Sequence, residues 1–87
     1  MNSHTTARFW KHYERLPKEI MQQADEAYEI WKTNPFHPSL QFKRVDPKDP
    51  IYSVRVGLHY RALGWLEHDT IAWFWIGDHD EYDRLLR

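Results

Sequence analysis

The chain has 87 residues, 16% aromatic, no cysteine and a formal net charge of −1. A chain this short makes one small domain, here 1–87, and without cysteine neither disulfides nor thiolate metal sites can staple it, so packing must hold it. The near-zero charge argues against bulk electrostatic attachment to nucleic acid, and no segment reads as a signal peptide or membrane span, so a soluble cytoplasmic protein is expected.

The start is polar, and Thr5 or Thr6 is placed to cap a helix. Ala7, Trp10, Tyr13 and Leu16 then recur at helical spacing until Pro17, which ends or kinks that helix and suits the first turn of another. Ile20, Ala24, Ala27, Tyr28 and Trp31 form an apolar stripe on the second helix, which Asn34-Pro35 stops. Leu40 to Val45 alternates weakly, as a short strand does, and Asp46-Pro47-Lys48-Asp49-Pro50 is a turn by composition. Tyr52, Val54 and Val56 alternate with Ser53 and Arg55, Gly57 permits a turn, and His59 to Trp65 returns as the next strand. After a turn at Glu67-His68-Asp69, Thr70 to Ile76 is apolar on both faces, as a central strand is. Asp78 or Asp80 then caps a short helix from about Glu81 to Leu86. The predicted fold is α+β: two N-terminal helices packed on a three- to four-stranded antiparallel sheet, with a short C-terminal helix.

Charge is unevenly placed. Lys43, Arg44, Lys48, Arg55 and Arg61 make the middle of the chain basic, whereas Glu67, Asp69, Asp78, Asp80, Glu81 and Asp83 make its end acidic. Two arginines on a small sheet are costly to bury and need partners or a ligand. Arginine, histidine and tyrosine together are what metal-free phosphodiester chemistry uses: a cation for the phosphorane and groups that move protons. Arg61 is the candidate charge stabiliser, His79 the base or acid, and Tyr82 the acid or a stacking platform. The structural alternatives are a salt bridge from Arg61 to the acidic tail, a cation–π contact for Arg55, a surface cap neighbour in His79, and simple packing of the last helix by Tyr82. Trp73, Phe74 and Trp75 read as core. The six histidines offer no His-x-x-x-His pair, so no metal or other cofactor is expected.

The strings Tyr52-Ser53-Val54-Arg55-Val56-Gly57, His59-Tyr60-Arg61-Ala62-Leu63 and Phe74-Trp75-Ile76-Gly77-Asp78-His79, with Tyr82, resemble the RelE/ParE superfamily of bacterial toxins. In that family an R-V-G-x-Y-R hairpin is followed by a strand ending in I-G-H-R and a tyrosine. The likeness covers about residues 17 to 86. It implies a toxin of a type II toxin–antitoxin system, neutralised by a cognate antitoxin, that cuts mRNA on the ribosome without a metal. The alternative it implies is a toxin-fold protein acting by protein contact, as ParE-like members do on DNA gyrase, or a member without catalysis. On the matching positions, Arg61, His79 and Tyr82 correspond to catalytic residues, and Arg55, Lys43 and the adjacent Arg44 to substrate contacts. The chain departs from the pattern in its lack of strong basicity, in Asp80 after the histidine, and in a first segment that reads as helix where many members begin with a strand.

Overall fold

The hairpin at the centre of the sheet forms as the alternation predicts. In the computed structural model, which describes residues 1–86, strand β3 (Ile51–Val56) pairs antiparallel with β4 (Tyr60–Glu67), and β4 with β5 (Thr70–Asp78). The short strand β2 (Lys43–Arg44) adds antiparallel to β3. It is shorter than the pattern suggests, because Leu40 belongs to a 3-10 turn and Gln41 is left-handed. Helices α1 (Ala7–Tyr13) and α2 (Lys18–Thr33) cover one face, and α3 (His79–Leu85) follows β5 directly. Asp78 is the cap of α3, its carboxylate accepting from the Glu81 amide at 2.9 Å.

The expected three- to four-stranded antiparallel sheet is a five-stranded mixed one. The polar segment Asn2–Thr5 is a strand, β1, running parallel to β5, in the order β1-β5-β4-β3-β2. Its sequence has no apolar alternation to betray it. Backbone bonds hold it, from Asn2 N to Asp69 O at 2.9 Å and from Thr6 N to Trp73 O at 3.1 Å, and such bonds do not depend on side chains.

Beginning with a strand also turns α1. Thr6 caps it, accepting from the Phe9 amide at 3.1 Å while donating to Trp73 O. With its start tied to β5, α1 buries Phe9, outside the predicted stripe, and leaves Trp10 45% exposed. The stripe on α2 holds better: Ala27 and Trp31 are buried, and Ile20 and Ala24 pack against the core beside them.

β5 is apolar on both faces for a specific reason. Leu63 pairs with Trp75 and Gly64 with Trp73, so Phe74 is an extra residue with no partner on β4. The bulge reverses the alternation. Ile71 and Trp73 join the core under α1 and α2, whereas Trp75 joins Leu63 and Tyr82 on the other face. Gly64 makes this possible, because a Cβ there would lie 2.6 Å from Ile71 and 2.8 Å from the Trp73 ring.

Candidate functional site

Cross-strand register sets the layout of the face opposite α1 and α2. Lys43 is paired with Ser53 and Ser53 with Leu63; alongside them Arg55 is paired with Arg61 and Arg61 with Gly77. Paired residues in a ladder point to the same side, so Lys43, Ser53, Arg55 and Arg61 share this face. Arg44 pairs with Tyr52 and belongs to the other face, where its Nε donates to Asp46 O at 3.0 Å. Of the two edge cations, register brings Lys43 to the site and not Arg44.

Arg61 is only 6% exposed. Its Nε donates to Ser53 Oγ at 2.6 Å, Nη1 to Gln41 Oε1 at 3.4 Å and Nη2 to Gln41 O at 3.3 Å. The Tyr82 ring covers the guanidinium face, with its centroid 5.3 Å from Cζ. Among the described residues no carboxylate lies within ion-pairing distance of it. The salt bridge to the acidic tail is therefore not formed. Asp78 caps α3, and Asp80 and Glu81 occupy its first turn, where carboxylates complement the helix dipole. Burial pushes the guanidinium pKa below its ordinary value; Tyr82 opposes the shift and Arg55 adds to it. Among the described residues, every neighbour Arg61 bonds to is neutral, so none of them compensates its charge.

Arg55 is partly exposed, and its Nε donates to Gly57 O at 2.9 Å, an anchor in its own turn and not the aromatic contact considered from sequence. His79 lies at the surface. Its ring stacks on Tyr82 with centroids 5.6 Å apart, and its Nε2 is 3.8 Å from Asp83 Oδ1. Tyr82 is 7% exposed and wedged beside Leu63 and Trp75. The Trp75 ring lies across Gly77, leaving no room there for a Cβ. Arg61, Tyr82 and His79 thus form a row of guanidinium, phenol and imidazole running from the sheet out to solvent.

A second histidine, unremarked in the sequence, borders this region. His12 at the end of α1 lies 6.2 Å from the Trp75 ring and lines a small polar cleft with Arg15, Asp78 and Glu81. Burial lowers its pKa, Arg15 and Arg8 lower it further, and Glu81 partly offsets them. The two other residues that sequence reasoning missed are Ser53 and Gln41. Alternation already placed Ser53 beside Arg55, so its contact with the return strand was readable. Nothing local marks Gln41. Among the described residues, no three His, Asp or Glu side chains are placed to share a metal ion, and no helix is long and apolar enough to cross a membrane.

Residues 18–84 match the sequence profile of the ParE-like toxin domain. No curated protein matches by sequence. Among solved structures, the chain is similar to the RelB–RelE antitoxin–toxin complex from Methanococcus jannaschii, with TM-score 0.75, 19% identity, and coverage of 95% of this chain and 98% of that one. It is also similar to YafQ from E. coli, with TM-score 0.75 and 10% identity over 93% of this chain and 96% of that one. The YoeB/ParE toxin from Agrobacterium tumefaciens matches with TM-score 0.69 and 15% identity over 91% and 99% of the two chains. Identities this low speak for the fold alone.

Proposed function

The chain belongs to the ParE-like toxin domain family, and from that membership we propose that it is the toxin of a type II toxin–antitoxin pair, acting as a metal-independent endoribonuclease on translated mRNA. The observation that supports this reading is the row Arg61–Tyr82–His79. In RNA cleavage the 2′-oxygen forms a bond to the adjacent phosphorus while the bond from phosphorus to the 5′-oxygen breaks. His79, at the solvent end of the row, takes the 2′-hydroxyl proton. Tyr82 returns a proton to the departing 5′-oxygen, and Arg61 stabilises the charge that gathers on the phosphorane. Arg55 and Lys43, on the same face, hold the flanking phosphates.

The partner in this reading is a cognate antitoxin. An apolar cavity of about 400 Å³ between α1, α2 and the sheet suits an amphipathic helix. Phe9, Trp31 and Trp73 line it, and the exposed Trp10 and Tyr28 stand at its rim.

A second reading, a toxin-fold protein acting by protein contact on a target such as gyrase, is favoured by the burial of Arg61 and the net charge of −1. One experiment separates the two. Wild type, Arg61→Ala and His79→Ala are expressed without a partner, growth is followed, and mRNA ends are mapped by primer extension. The nuclease reading expects arrest with new 5′ ends for wild type and neither for the variants. Arrest without cleavage overturns it in favour of protein contact, and a harmless wild type overturns both.

A further inference from the structure

As it stands, Arg61 is 6% exposed and each guanidinium nitrogen already has an acceptor within the protein. Ser53 takes the Nε edge, the Tyr82 ring covers one face, and Gln41 takes both Nη nitrogens. A phosphate can reach it only if one of these neighbours leaves. Ser53 is 0% exposed within a sheet strand, and Tyr82 is packed between Leu63 and Trp75. Gln41 is exposed and belongs to no helix or strand.

Its geometry also differs from that of a structural anchor. The two oxygens of one residue, Oε1 and the backbone carbonyl, face Nη1 and Nη2 as the two oxygens of a carboxylate or phosphate do in a forked pair. Both bonds are long, 3.4 and 3.3 Å, against the roughly 2.7–2.9 Å of charge-assisted bonds to arginine. Gln41, which ends the 3-10 turn, also sits at φ 46° and ψ 46°, a left-handed conformation that disfavours any residue with a Cβ. A neutral, strained and distant acceptor holds the edge that an anion would hold better. Departure of Gln41 would also present that anion with Arg55, beside Arg61 on the sheet, and Lys43, beside Ser53.

We propose that Gln41 is a displaceable cap that mimics the anion on Arg61, and that a phosphodiester binds by expelling it. The cap keeps the resting protein from exposing an uncompensated cation, and substrate entry exchanges two weak neutral bonds for a forked ionic one. This rests on Arg61 being the phosphate-binding residue of the proposed nuclease.

The test uses the full chain and a 2′-O-methyl trinucleotide, which cannot be cleaved, with the Arg61 Nε–H resonance as the readout and circular dichroism as the folding control. Gln41→Ala keeps the left-handed backbone and its strain and removes only Oε1; it is expected to tighten binding about fivefold, the worth of one net hydrogen bond. Gln41→Glu turns the mimic into a true anion and is expected to weaken binding by tenfold or more. A merely structural Gln41 would not move the two variants in opposite directions. If wild type binds through Arg61 and both variants bind equally well, the cap is overturned and the nuclease reading stands. If only Tyr82→Leu raises the affinity, α3 is the gate and the cap is likewise overturned. If Arg61→Ala leaves the wild-type affinity unchanged, the assignment of Arg61 fails, and the cap with it.

Discussion

The two faces of the sheet are held together by different means. Under α1 and α2 lies an apolar core in which Trp31, Ile71 and Trp73 interlock, Trp31 and Trp73 meeting edge to face at 5.5 Å between centroids. Under α3 lies a smaller cluster of Leu63, Trp75 and Tyr82 beside a buried arginine. The first face spends its buried residues on stability. The second gives up some of that gain to hold a charge that no carboxylate among the described residues neutralises, the kind of local inconsistency found where a protein binds something.

Breaking the first face should have the largest effect. Trp31→Ala removes a 1% exposed ring from the centre of the core and is expected to lower stability by about 3–5 kcal/mol in urea unfolding. In a domain this small that can be most of the total. On the second face, Asp78→Ala removes the α3 cap and is expected to cost about 1 kcal/mol. Because α3 carries Tyr82 and His79, the proposed mRNA cleavage should fall by more than the small loss of stability explains.

Arg61→Met sharpens the contrast. It leaves Ser53 Oγ without its donor, a loss of about 1 kcal/mol or more, but relieves the desolvation of an unpaired cation. The melting temperature is expected to stay close to wild type while anion binding is lost. A large fall would show that this arginine is mainly structural.

The smallest effect is expected from pH, at the junction of the two faces. Because burial holds the His12 pKa below 6.5 in the folded state, the unfolded chain binds the proton first. The contribution of His12 is therefore present above pH 6.5 and lost as pH falls from there through the lower folded value. His12→Gln should flatten the pH dependence of stability in that window, a difference chemical denaturation can follow.

Part of the candidate site's layout is legible along the chain. Arg61, His79 and Tyr82 were singled out by residue type and order, and the structure brings these three together. Lys43 and Arg44 are adjacent in sequence and were grouped for that reason, yet strand register sends them to opposite faces. The acidic residues after β5 looked like partners for the arginines, but they serve the start of α3. Net charge within a segment does not reveal which backbone groups need the carboxylates.

Local pattern determined α2 and the β3–β4 hairpin, whose side chains repeat with a period; α3 is announced only by a capping aspartate, Asp78 or Asp80, and begins two residues before the expected Glu81. The pattern could not determine β1, whose pairing is made by backbone amides that every residue carries, nor the face that α1 buries, which depends on where that strand ends. Nor could it foresee the bulge at Phe74, since an extra residue on β5 is defined only against its partner on β4. The Gln41 cap belongs to the same class. The contact between Gln41 and Arg61 spans 20 residues of chain, and only the packed fold brings their polar groups within reach of each other.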